Sequence, residues 1–139
     1  MGETKRFGVS LSEQLLNEFD KLIESQNYSS RSEAIRDLIR EALVHSEWKK
    51  GNERCVGTIS LVYNHHTREL LSQLTSIQHD YTDEIISSTH IHLDAHNCLE
   101  VLAVSGPADK LKEVSNRLRS TKGVIHAKLS MSTTGEKIT

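Results

Sequence analysis

The chain has 139 residues and a formal charge of −2, with 36% hydrophobic, 26% charged and only 4% aromatic residues. A core of that composition is aliphatic and modest, and a pI near 6.4 excludes a surface that is basic all round, so nucleic acid would have to meet a local patch. No apolar run reaches the roughly 18 residues of a membrane span, and the opening MGETKRFGVS lacks the apolar stretch of a secretory signal.

A cytoplasmic protein is therefore expected, with no membrane and no protein substrate among its partners. In that setting Cys55 and Cys98 are reduced thiols, better suited to metal ligation than to a disulfide.

Residues 5–11 alternate, with Arg6, Gly8 and Ser10 on one side and Phe7, Val9 and Leu11 on the other. That spacing predicts a short strand with one apolar face. Ser12 is placed to cap a helix in which Leu15, Leu16, Phe19, Leu22 and Ile23 recur at helical spacing, and Asn27-Tyr28 ends it without a glycine. Ser30 and Glu33 fit a capping box. It opens a second helix, RSEAIRDLIREALVHSEW, striped by Ala34, Ile35, Leu38, Ile39, Ala42 and Leu43. One strand and two helices cannot bury a core by themselves, and a lone strand leaves its backbone N–H and C=O groups unpaired. Pairing the strand with its copy in a second chain answers both needs and predicts an intertwined dimer.

This strand–helix–helix unit, with the phrase NYSSRSEAIRDLIREAL, resembles a ribbon-helix-helix DNA-binding domain. The resemblance implies a two-stranded ribbon in the major groove, with Arg6, Gly8 and Ser10 outward. Arg6 can donate two hydrogen bonds to a guanine edge, and Ser10 can bond to more than one base. Gly8 departs from the polar side chain usual at the middle position, which leaves backbone approach or DNA shape to act there. Ser30 and Arg31, at the start of the second helix, would offer free N–H groups to a phosphate.

The polar stretch SEWKKGNER reads as a hinge. It divides the chain into a DNA-binding domain at 1–46, a linker at 47–54, a second domain at 55–133 and a polar tail at 134–139. In the second domain CVGTISLVYN reads as a strand and HHTRELLSQLTSIQHD as a helix. DEIISSTHIHLD and CLEVLAVSG follow as strands joined by a tight turn. Pro107 opens a last helix, Gly123 closes it as the C′ residue, and VIHAKLSMS is the final strand. The order β-α-β-β-α-β is ferredoxin-like, of ACT type, and the whole chain is α+β.

Two residues apart on one strand, His90 and His92 point the same way. Cys98, at the start of the return strand, comes back beside them, and imidazole with thiolate suits Cu, Zn or Ni. His79 ends the preceding helix and need not reach the same spot in its own chain, but a neighbour's His79 could complete the set. Taken alone, these residues also fit plain surface histidines.

Together, the QH pair, HIHLDAHNCLEV and SRSEAIRDLIR resemble the nickel-responsive transcriptional regulators over nearly the whole chain. The resemblance implies Ni(II) held by His90, His92 and Cys98 of one subunit and His79 of another. It also implies a homotetramer, a dimer of dimers, that binds palindromic double-stranded operator DNA as a nickel-dependent repressor of nickel uptake genes. Glu33 and Asp37, four apart on one helix face, would form a second cation site in the family; from the residues alone they are equally a capping Glu and a solvated Asp. Three imidazoles and a thiolate suit square-planar Ni(II), whereas Zn(II) prefers a tetrahedron. His65, His66 and His96 read as solvated loop histidines or as secondary donors, and His126 and Cys55 as structural. The alternatives are a sensor of Co, Cu, Zn or an amino acid, and a metal store or chaperone. No acid–base pair, activated nucleophile or phosphate loop argues for an enzyme.

Overall fold

The computed structural model describes residues 2–139. They form two compact units, one running through Leu43 together with Lys137–Thr139, the other from Val44 to Glu136.

In the first unit, helix α1 (Glu13–Ser25) starts where expected, with Leu15 N donating to Ser12 Oγ at 3.2 Å. Asn27 ends it in the left-handed region at φ 62°, and Tyr28 N closes the last turn on Ile23 O at 3.0 Å, a role that Asn fills when Gly is absent. Helix α2 (Arg31–Lys50) is capped by Ser30, whose Oγ accepts from Glu33 N at 3.2 Å. Only half of the capping box forms, because the Glu33 carboxylate turns to Arg36 at 3.0 Å. The strand expected at residues 5–11 is not a strand within one chain: residues 2–12 carry no regular secondary structure. A ladder needs a second backbone, and one copy has none to give. Phe7 and Val9 are accordingly 71% and 61% exposed, and with Leu11, Leu16, Phe19 and Ile35 they line an open apolar groove.

The second unit is a four-stranded antiparallel sheet in the order β2-β3-β1-β4. Its elements are β1 (Arg54–Asn64), α3 (Leu70–His79), β2 (Ile85–His92), β3 (Asn97–Pro107), α4 (Ala108–Arg119) and β4 (Val124–Met131). This is the βαββαβ succession that the sequence predicts. Every second residue of β1 and β3 is buried, including Ile59, Leu61 and Tyr63 on one strand and Cys98, Leu102 and Val104 on the other. They pack with Leu70 and Leu74 of α3 and Leu111, Val114 and Leu118 of α4, all fully buried, the period-two and helical stripes meeting in one core.

Three boundaries differ from expectation. Helix α3 starts at Leu70, not at His65, because Glu69 is left-handed at φ 65° and Asn64 Oδ1 holds His66 N in a side-chain turn at 2.9 Å. The expected linker 47–54 is helical as far as Lys50. Within it Trp48 is 1% exposed and donates Nε1–H to Ser132 O at 3.0 Å. Gly57 makes room for it: a Cβ there would stand 2.6 Å from Ser130 O and 3.3 Å from the Trp48 ring. Helix α4 ends on Ser120 as its C-cap, so Gly123 is not the C′ residue. It takes φ 105° in the approach to β4, where a Cβ would stand 3.0 Å from Leu70.

Candidate metal centre

The β2–β3 hairpin pairs His92 with Cys98 and His90 with Glu100, so all four side chains project from one face of the sheet. The turn is built by Asp94, whose Oδ1 accepts from His96 N at 2.8 Å and Asn97 N at 2.7 Å. These two amides, Asn97 first, hold the Asp94 carboxyl below the usual carboxylate range.

His90 is gripped at both ring nitrogens. Nε2 lies 2.7 Å from Glu100 Oε2, while Nδ1 faces Cys98 Sγ at 3.9 Å and the Tyr63 hydroxyl at 3.4 Å. With the proton held at Nε2 by the carboxylate, the Nδ1 lone pair points at the thiol, which is how an outer carboxylate readies an imidazole for a metal. Glu100 is 1% exposed and also accepts from Gln78 Nε2 at 3.0 Å and Ser88 Oγ at 3.2 Å, so its burial is compensated by three partners. Burial first, then the charges of Glu100 and Cys98, push the Tyr63 phenol well above its ordinary value and keep it a proton donor.

The loop histidines gather beside His92, with His66 and His96 still exposed to solvent. His65 lies 4.1 Å from His66 and 5.4 Å from His92, ring to ring, and His66 lies 5.6 Å from His96. His65 N donates to His96 O at 3.0 Å, joining the two loops. Desolvation, followed by its His66, His92 and His96 neighbours, lowers the His65 pKa. His79 is the last residue of α3, exposed, at one side of an open depression that Thr75, Ser76 and Asp80 also line and that reaches His65. Among the described residues, no three His, Cys, Asp or Glu side chains of one chain are grouped to hold a metal. What the chain does present is a soft thiol against an imidazole of set tautomer, with a second imidazole on the adjoining pair. That donor chemistry fits a borderline divalent metal such as nickel. Cys55 is buried, with Sγ 3.5 Å from Glu53 O, and His126 is exposed on β4.

Sequence reasoning missed Glu100 and Tyr63. The signal for Glu100 was the two-residue step from Cys98 along a strand, which places a carboxylate on the face of His90 and His92; Tyr63 is found only from the β1–β3 register that sets it opposite Cys98.

Of the DNA-facing candidates, Arg6, Gly8 and Ser10 are all exposed. A Cβ on Gly8 would meet nothing within 4 Å, so the fold of one chain does not require glycine there. Ser30 is spent on its cap, and Arg31 grips Asp20 with two bonds of 2.9 Å. Glu33 and Asp37 are also engaged: Asp37 accepts from Tyr28 OH at 2.8 Å and from Arg40 at 3.1 Å, and Glu33 pairs with Arg36.

Comparison with known proteins agrees with both units. Residues 5–45 match the family described as ribbon-helix-helix protein, copG family, and residues 56–132 match the NikR C terminal nickel binding domain. A protein of Geotalea uraniireducens named "Putative nickel-responsive regulator" is 57% identical over 138 residues, 99% of each chain. Proteins of the same name from Geobacter sulfurreducens and Thermococcus onnurineus are 57% and 52% identical, covering 99% and 96% of each chain. The solved structure of an uncharacterised protein from Thermotoga maritima shares the fold at 15% identity and TM-score 0.52, covering 57% of this chain and 98% of its own. These families are regulators and not enzymes, and no helix among the described residues is long and apolar enough to cross a membrane. The chain belongs to the nickel-responsive regulators, a ribbon-helix-helix unit followed by a ferredoxin-like domain whose cofactor is Ni(II).

Proposed function

We propose that this chain is a nickel-dependent, sequence-specific repressor of nickel uptake genes, acting in the cytoplasm as a homotetramer, a dimer of dimers, on a palindromic operator. The observation that carries the reading is His90, whose Nε2 is held by Glu100 at 2.7 Å while Nδ1 faces Cys98 Sγ at 3.9 Å.

His90 Nδ1, His92 and Cys98 would hold the metal, with the partner subunit's His79 as the fourth donor. Held by these residues, nickel would supply coordination that joins two chains. Within one chain, Glu100 keeps the His90 proton on Nε2, and Cys98 must give up its own proton, so affinity falls in acid. In the N-terminal unit a second copy covers the apolar groove and supplies the missing strand. Arg6 and Ser10 then read base edges, Gly8 lets the backbone approach, and Ser30 and Arg31 meet phosphate once Arg31 leaves Asp20. Glu33 and Asp37 would take a cation only by exchanging their present arginine partners for it. The effect of nickel on operator binding is a population shift, so the operator must raise nickel affinity by the same factor.

The test is a titration of operator DNA with and without stoichiometric nickel, beside visible spectra of the nickel-loaded protein and Cys98→Ala. Operator affinity rises with nickel, and the thiolate charge-transfer band is lost in the variant. Operator affinity that ignores nickel would overturn the regulatory reading, and a band that survives in Cys98→Ala would overturn the ligand set.

A further inference from the structure

We infer that Arg117 on α4 is a positioning residue for His79, acting through Asp80 and Tyr81; this rests on the reading that His79 is donated to a neighbour's metal. His79 is the last residue of α3, and helix ends fray unless something holds them. The backbone beyond it makes only short turns, Asp80 N to Ile77 O at 3.0 Å and Tyr81 N to Gln78 O at 3.1 Å.

The side chains on either side of His79 are restrained. Before it, Gln78 donates Nε2–H to the buried Glu100. After it, Arg117 Nη1 donates to Asp80 Oδ2 at 3.1 Å and to the Tyr81 hydroxyl at 3.2 Å. The guanidinium also lies 5.3 Å from the Tyr81 ring centroid, within cation–π range. Tyr81 is 5% exposed, and its carbonyl accepts from both Glu84 N and Ile85 N at 3.1 and 3.0 Å. One anchored residue thus ties the end of α3 to the start of β2, the strand that bears His90 and His92. His79 itself stays exposed between two fixed neighbours, as a ligand offered outward must be.

The ion pair is 45% exposed on Arg117 and 57% on Asp80, and exposed pairs contribute little to global stability. Its removal therefore leaves the fold standing. It loosens the segment carrying His79, and a metal ligand has to be held within about 0.5 Å of its productive position.

The experiment is a double-mutant cycle in the full-length protein, with nickel affinity measured by chelator competition for wild type, Arg117→Ala, His79→Ala and the double variant. Arg117→Ala should bind nickel up to roughly tenfold more weakly, the lower end of the cost of removing a direct outer partner, because Arg117 reaches His79 only through its neighbours. Its metal-free melting temperature and the thiolate charge-transfer band at Cys98 should be unchanged. In the His79→Ala background Arg117→Ala should cost nothing further, because the path it acts through is gone. Tyr81→Phe, which keeps the buried ring and removes the hydroxyl, should show part of the loss. Wild-type affinity in Arg117→Ala, or an equal loss with and without His79, would overturn the inference while leaving the donation intact. Wild-type affinity in His79→Ala would overturn the donation itself, and the role of Arg117 with it.

Discussion

At the scale of single residues, the setting of His90 is decided as much by Glu100 as by Cys98 and Tyr63. A carboxylate 1% exposed is tolerated because His90, Gln78 and Ser88 all donate to it, and the service it returns is the choice of tautomer at His90. Glu100→Gln keeps the shape but removes the charge and places an amide that can donate where only acceptors suited. Nickel affinity should fall about tenfold, measured by competition with a chelator, while Cys98 still produces its charge-transfer band. Unaltered affinity would mean that His90 selects its tautomer without help. His90, His92 and Cys98 were legible in the sequence as neighbours on one hairpin face, since strand alternation places them there, whereas a part for His79 came only from the family resemblance. Glu100 was not legible, because a charged residue in a strand reads as solvent-facing until the register shows it beneath His90.

At the scale of elements, caps and stripes were readable because they are local: Ser12, Ser30 and Asn27 do what their chemistry dictates within a few residues. The start of α3 and the length of α2 were not, because each is decided by distant contacts. Trp48 sits in a polar stretch, yet its ring is taken up by β1 at Gly57 and the 130–132 segment.

The pairing of α1 with α2 through Asp20 and Arg31 carries a pH dependence. The Arg31 hydrogen bond, opposed by desolvation and assisted by the guanidinium charge, holds the Asp20 carboxyl below its ordinary value. A depressed carboxylate adds stability at pH values above the unfolded pKa of about 4 and loses it as pH falls through the folded value. Amide protection factors in α1 and the first turns of α2, taken relative to the intrinsic exchange rate at each pH, should therefore fall on acidification below about pH 4 more in wild type than in Asp20→Asn. An equal fall in both would remove this pair from the account.

At the scale of the whole molecule, the N-terminal unit is incomplete as one chain. Phe7 at 71%, Val9 at 61%, Leu15 at 55% and Leu38 at 55% exposure leave more apolar surface than so small a unit can carry, and residues 5–11 have no ladder partner. If a second copy supplies both, the melting temperature of the unit rises with protein concentration, as mass action requires. Melts at several concentrations beside sedimentation would show it, and a concentration-independent transition in a monomer would refute it.

Period and caps were enough for the two-unit architecture and the βαββαβ order, and strand alternation for the grouping of His90, His92 and Cys98 on one hairpin, because these follow from interactions within a few residues or one hairpin. Tertiary structure alone decided the partners of both His90 ring nitrogens, the gathering of His65, His66 and His96 beside His92, and the exposed place of His79 at the end of α3. Those depend on strand register and on which helix end meets which sheet edge, quantities set by packing between segments far apart in the chain.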